Sequence, residues 1–173
     1  MGEDLSAVRA AVVGATGGIG AAVVEKLVDC GASVLATGRN PERLAALESD
    51  RVRAAVLDVG DDDAGARLAD AVEVAMGGLD ALIIAVGALG PIGPTRSVNP
   101  DLVLENLRLG PIAALRLIQA CVPMLDASPS PSVTLFSGGG ATDAFPRYTA
   151  YALEKTAIVR LVENLAVEEP RWR

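Results

Sequence analysis

Short apolar runs alternate with apolar residues at helical spacing from one end of the chain to the other. Residues 10–13 form a short apolar run ending in glycines, and 18–28 then carry apolar side chains at the three-to-four spacing of a helix. Residues 33–36 predict a second strand. Residues 41–48 predict a short helix, with Asn40 as N-cap and Pro41 at its first position. A third strand over 53–57 is followed by an Ala-rich helix over 61–76, whose first turn is crowded with acids. Residues 79–86 predict a fourth strand, apolar enough to be covered on both faces. A Gly/Pro-rich loop over 87–98 leads into a long helix from Asn99-Pro100 to about residue 125. A fifth strand is predicted over 132–136, then a glycine loop, then a last helix over 149–168.

Strands alternating with helices imply right-handed crossovers and a parallel sheet with helices on both faces. With no repeat or linker, residues 1–173 are expected to be one doubly wound α/β domain. The long helix is apolar nearly all round. Leu104, Leu107, Pro111, Leu115, Ile118 and Val122 make one stripe, with Val103, Ile112 and Leu117 off it. One face is expected against the sheet and the other against a second subunit, with a kink at Pro111.

Composition narrows the function classes. Of 173 residues, 51% are hydrophobic and 21% charged, enough for a substantial core and unlike a disordered chain. The net charge of −7 offers no basic stripe for nucleic acid or an anionic membrane. There is no histidine, which removes Ser-His-Asp and Cys-His nucleophiles and every histidine-ligated metal site, so no metal is expected. Cys30 and Cys121 stand too far apart for a C-x-x-C motif and are expected to be buried free thiols. The acidic N-terminus, with Glu3 and Asp4, is unlike a secretory signal. The uncharged stretch 81–95 is broken by Gly87, Gly90, Pro91, Gly93 and Pro94 and is expected not to span a bilayer. A cytoplasmic protein is expected.

Candidate chemistry begins where the first strand meets the first helix, at Gly14-Ala15-Thr16-Gly17-Gly18-Ile19-Gly20. Glycines let the backbone approach a pyrophosphate, and the helix N-terminus attracts it with free N–H groups. The second strand ends in Thr37-Gly38-Arg39-Asn40. An acid in this slot would bond a ribose 2′-hydroxyl and repel a 2′-phosphate. Here the slot holds Gly38, and Arg39 follows with a planar donor fork suited to phosphate, so NADP(H) is expected over NAD(H). In Tyr151-Ala152-Leu153-Glu154-Lys155 the tyrosine and lysine share one helical face. The ammonium favours phenolate, which suits Tyr151 to act as a general acid toward a carbonyl oxygen as hydride arrives.

From first strand to last helix the chain resembles the short-chain dehydrogenase/reductase family. Gly14, Gly18 and Gly20 match its G-x-x-x-G-x-G turn. Gly14, Gly17 and Gly20 equally match the G-x-x-G-x-x-G of the extended, epimerase-like branch. Phe145-Pro146-Arg147-Tyr148-Thr149-Ala150-Tyr151 looks like the approach to the family's catalytic tyrosine. Glu105-Asn106-Leu107 falls where the single-domain branch places an asparagine that holds a water in the proton relay. The resemblance implies a Rossmann-type, three-layer α/β/α fold with five strands in the order 3-2-1-4-5. It implies Tyr151 as acid/base, Lys155 on the nicotinamide ribose and Asn106 supporting the relay. It also implies Asp58 and Val59 near the adenine, with Thr16, Ile19, Ala85 and Gly87 beside the cofactor.

The chain departs from the family in three places. The serine expected thirteen residues before the tyrosine is Gly138, with Ser137 one position early. Ser137 is taken as the candidate serine; Thr142, or the N–H groups of residues 138–140, are the other groups available to polarise a carbonyl. The family's N-N-A-G appears as Ile84-Ala85-Val86-Gly87, keeping only the glycine. The family continues past the point of Arg173 into two strands and a substrate lid. The fifth strand is therefore expected to be an open edge, and Ile158, Leu161, Val162 and Leu165 of the last helix to lack part of their cover. The expected activity is NADP(H)-dependent reduction of a ketone or oxidation of a secondary alcohol. The competing expectation is a dinucleotide-binding or interaction protein that has lost turnover. A homo-oligomer through the long helix and the tyrosine helix is expected, with neither nucleic acid nor membrane as partner.

Overall fold

Runs of Val, Ala, Leu and Ile bounded by glycine or polar turns make five strands, β1 (Arg9–Val13), β2 (Ser33–Gly38), β3 (Val52–Val56), β4 (Ala81–Ile84) and β5 (Ser132–Leu135). In the computed structural model, which describes residues 4–172, they form one parallel sheet in the order β3-β2-β1-β4-β5. The helices are α1 (Gly18–Asp29), α2 (Pro41–Ala45), α3 (Ala64–Met76), α4 (Pro100–Leu107), α5 (Ala113–Ala127) and α6 (Thr149–Glu168). This is the Rossmann-type order expected from the sequence.

Alternation along the strands sends successive side chains to opposite faces. Ala11, Val13, Leu35, Leu82 and Ile84 pack with Leu68 and Val72 of α3 and with Leu117, Ile118, Cys121 and Leu125 of α5. Ala10, Val12, Val34, Ala36 and Ile83 pack with Val24 of α1 and Leu44 of α2. Both faces are covered, which is why the central strands read as unbroken apolar runs. Of the two free cysteines, Cys121 is buried and Cys30 only half-buried.

Several element boundaries differ from the sequence reading. The helix expected over 61–76 starts at Ala64, so its acids lie in the preceding turn, where Asp61 receives a hydrogen bond from Arg67 at 2.9 Å. The long helix is continuous from Pro100 to Ala127 but is interrupted at Pro111 by a π turn over Arg108–Ile112, where a kink was expected. Pro111 has no N–H for the carbonyl four residues back, and its ring crowds that carbonyl. The backbone opens by one residue, and the N–H of Ala113 donates to Arg108 O.

The buried face runs through Asn106, Gly110, Pro111, Ala113, Ala114, Leu117, Ile118, Cys121 and Leu125, so it takes in Pro111 and Ile118 of the predicted stripe but not all of it. Leu117 and Cys121 are fully buried, whereas Leu104 is 66% exposed and Leu115 and Val122 are half-buried. By length and composition this helix, rather than the stretch 81–95, is the one among the described residues apolar enough to cross a membrane. In the fold 44% of its most apolar window is buried. At the sheet edge, among the described residues, β5 pairs only with β4, while Trp172 with Val162, Leu165 and Ala166 encloses a small apolar pocket against Val133.

Candidate functional site

A cavity of about 350 Å³ opens at the carboxyl ends of the strands, beside the switch point between β1 and β4. Its shape starts at Gly14. With φ at +88° and a would-be Cβ only 2.6 Å from Ala85 O, no side chain fits there. Gly20 supports the turn from beneath, because a Cβ there would fall on the Gly14 carbonyl. Gly17 is the N-cap of α1, and Gly18 its first residue, facing open space. Gly14, Thr16, Gly17, Arg39, Asp58, Val59, Ala85 and Gly87 all line the cavity. Gly18, Gly20 and the exposed Ile19 do not.

The slot where an acid was sought is filled from across the turn. A Cβ at Gly38 would stand 3.0 Å from Thr16 Oγ1. Beyond it, Arg39 is joined by Arg43, which the sequence reading missed. Asn40 caps α2 by accepting the N–H of Arg43 at 2.9 Å, and that single turn brings the second guanidinium to the same wall. The signal was present in the cap itself, since Asn40-Pro41 fixes where residue 43 emerges. Among the described residues neither arginine forms an ion pair. Next to this segment, where the N–H of Leu57 donates to Gly38 O at 2.9 Å, Asp58 accepts the N–H of Gly60 at 2.9 Å, and Arg108 donates to Gly60 O at 2.7 Å. The π turn also contributes Leu109 to the lining.

A second cluster, off the lining of this cavity, adjoins it through Gly87. Lys155 Nζ lies 5.5 Å from the centre of the Tyr151 ring. It donates to Glu154 Oε1 at 3.0 Å and to Phe136 O at 3.3 Å. Asn106 donates through Nδ2 to Glu154 Oε2 at 2.6 Å. Glu154, Lys155 and Asn106 are all buried, Glu154 completely. A Cβ at Gly87 would meet Lys155 Nζ at 3.1 Å, so one glycine separates the cluster from the cavity. Tyr151 and Asn106 thus both adjoin Lys155 and its partner Glu154, a carboxylate not among the candidate residues.

The hydroxyls proposed for the missing serine are engaged elsewhere. Ser137 Oγ donates to the backbone carbonyl of Lys155 at 3.2 Å, and Thr142 Oγ1 to Asp143 at 2.9 Å. A Cβ at Gly138 would fall on the Tyr151 hydroxyl, so the phenol occupies the space a serine would need. Phe145 flanks the Tyr151 ring at 5.8 Å between centres.

The sequence profile described as short chain dehydrogenase matches residues 9–173. The chain belongs to the short chain dehydrogenase family. It is 31% identical over 177 residues to a short chain dehydrogenase of Pseudocercospora fijiensis, covering 95% of this chain and 56% of that protein. It is 30% identical to dehydrogenase/reductase SDR family member 4 of Sus scrofa, covering 92% of this chain and 59% of that one. The chain therefore spans under two thirds of the length of these relatives. A short chain dehydrogenase of Shigella flexneri in complex with NADP superposes with a TM-score of 0.92 at 27% identity, covering 99% of this chain and 77% of that one. The NADPH-bound short chain oxidoreductase of Pseudomonas aeruginosa, described as containing an atypical catalytic center, gives 0.92 at 28% identity, covering 99% and 70%. The family consists of oxidoreductases that use a nicotinamide dinucleotide.

Proposed function

We propose that this chain binds NADPH and carries the proton-transfer residues of a reductase acting on ketones, or on secondary alcohols in reverse. The observation that carries this reading is one continuous arrangement. The Gly14 turn and the arginines 39 and 43 bound a cavity that only Gly87 separates from Tyr151 and Lys155. The cavity fits the cofactor by its own chemistry. Gly14 and Gly17 leave backbone room for a pyrophosphate, Arg39 and Arg43 offer two free guanidinium forks to a 2′-phosphate, and Asp58 and Val59 flank an adenine. The similar Shigella and Pseudomonas structures, with NADP and NADPH, support the choice.

Bound there, the cofactor supplies the hydride. Tyr151 gives its phenolic proton to the carbonyl oxygen, so the alkoxide is neutralised as it forms. Lys155, whose ammonium lies 5.5 Å from the centre of that ring, would hold the ribose of the bound cofactor, and Asn106 anchors the Glu154 carboxylate behind it. A second reading, cofactor binding without turnover, is favoured by Gly138, whose missing hydroxyl leaves the carbonyl one donor fewer.

Calorimetric titration with NADPH and NADH, followed by a ketone panel, tests both. NADPH is expected to bind at least tenfold tighter, with the preference falling in Arg39→Ala and again in Arg43→Ala. Equal affinities would remove the arginines from the reading. Tyr151→Phe is expected to abolish reduction while leaving NADPH affinity within about twofold; no turnover by the wild type with affinity intact selects the second reading. We further propose a cytosolic homo-oligomer, supported by exposed Leu102, Leu104 and Ile112 on the long helix and Leu153 and Val162 on α6. Light scattering showing a monomer at micromolar concentration would overturn that.

A further inference from the structure

Glu154 is the group whose presence the function above does not explain. A carboxylate with no solvent contact is tolerated only where both oxygens are paired, and here both are paired within the site. Oε1 takes the Lys155 ammonium at 3.0 Å, and Oε2 takes the Asn106 amide at 2.6 Å. The fold makes room for it on two sides. A Cβ at Gly110, in the π turn, would stand 2.7 Å from Glu154 Cγ, and one at Gly87 would stand 3.2 Å from Oε1. A regular helix with an ordinary side chain at position 110 would have no space for this carboxylate.

We propose that Glu154 is a positioning residue that locks the Lys155 ammonium against Tyr151 and couples it to Asn106 on the facing helix. An ammonium has three N–H donors. Glu154 and Phe136 O take two of them, so the third is directed at the remaining open side, toward Tyr151 and the Gly87 gap. Without the carboxylate, Lys155 keeps one weak carbonyl bond and is free to turn. The link to Asn106 makes the long helix and α6 act as one support for the lysine. This rests on the proposed function for its consequence, but its geometry is testable without cofactor.

The chain has two lysines, Lys155 and the exposed Lys26, so 13Cε-lysine labelling gives two signals with a built-in reference. In the cofactor-free wild type the two Hε protons of Lys155 are expected to be inequivalent and displaced from Lys26 by the Tyr151 ring. In Glu154→Gln, which keeps the volume and removes the charge, they are expected to collapse toward the Lys26 position while the backbone amide spectrum is retained. Should that variant fail to fold, Asn106→Ala, which removes only the Oε2 anchor, is expected to move the same signals part-way. Lys155 signals that match Lys26 in the wild type, or that stay unchanged in the variant that folds, overturn the proposal. The NADPH dissociation constant is expected to rise about tenfold in Glu154→Gln. A wild type that binds no NADPH, yet shows the Lys155 response, refutes the function and leaves the positioning role standing.

Discussion

At Gly138 the backbone is extended, with φ at −167°, so any residue can adopt its conformation and only space is at issue. That space holds the Tyr151 hydroxyl, and the ring is bracketed by Phe145 and Lys155. Gly138→Ser, which restores the family residue on paper, is therefore expected to destabilise the fold by about 1–3 kcal/mol in urea unfolding and to lower any carbonyl reduction. A variant as stable as the wild type would show that the ring swings aside freely. Tyr151 and Lys155 were legible as a pair because four residues is one helical turn. That the phenol would sit on residue 138 was not, because those residues meet only when β5 and α6 pack.

Among the elements, the π turn decides most. The sequence shows that Pro111 interrupts the long helix; it does not show that the interruption takes the form of a π turn. Leu117, off the predicted stripe, is fully buried beneath the sheet, while Leu104, on it, is 66% exposed. Leu117→Ala is expected to cost about 2–5 kcal/mol, and Leu104→Ala no more than about 0.5 kcal/mol. Equal costs in chemical denaturation would show that burial does not set the contribution of these two side chains. The same turn delivers Leu109 to the cavity and Gly110 to Glu154, so one irregularity serves both halves of the site.

Across the whole molecule, the sheet carries its site at one end and a clamp at the other. Asp80 accepts from the Arg9 backbone N–H and from Arg9 Nε, both at 2.9 Å, and from Ser128 Oγ at 2.7 Å. Its carbonyl receives the N–H of Ser132 at 2.9 Å, so the starts of β1, β4 and β5 are tied at one residue. The Arg9 guanidinium, outweighing burial, holds the Asp80 carboxyl down at about 2, below the ordinary 3.8. A carboxylate held low stabilises the fold above its unfolded value, and that contribution fades as pH falls through about 2. Asp80→Asn is expected to cost about 1.5 kcal/mol at pH 7, kept modest because Arg9 is partly exposed. The difference from wild type should narrow between pH 4 and pH 2 in urea titrations. A gap that stays constant over that range would show that the charge on Asp80 is not what stabilises the clamp.

The order of strands and helices, the glycine turn and the Tyr151-Lys155 pair follow from the sequence by itself, because each rests on neighbours within a few positions. Alternation, helical spacing and the conformational freedom of Gly14 act locally, and no distant contact overrides them. Other features were decided only when the chain folded. Glu154 between Lys155 and Asn106, Ser137 turned to a backbone carbonyl, and the phenol over Gly138 each join segments brought together by the packing of the elements. They depend on how far one backbone approaches another. A buried carboxylate finds its partners only where two elements close on it, so it leaves no periodic trace in the chain.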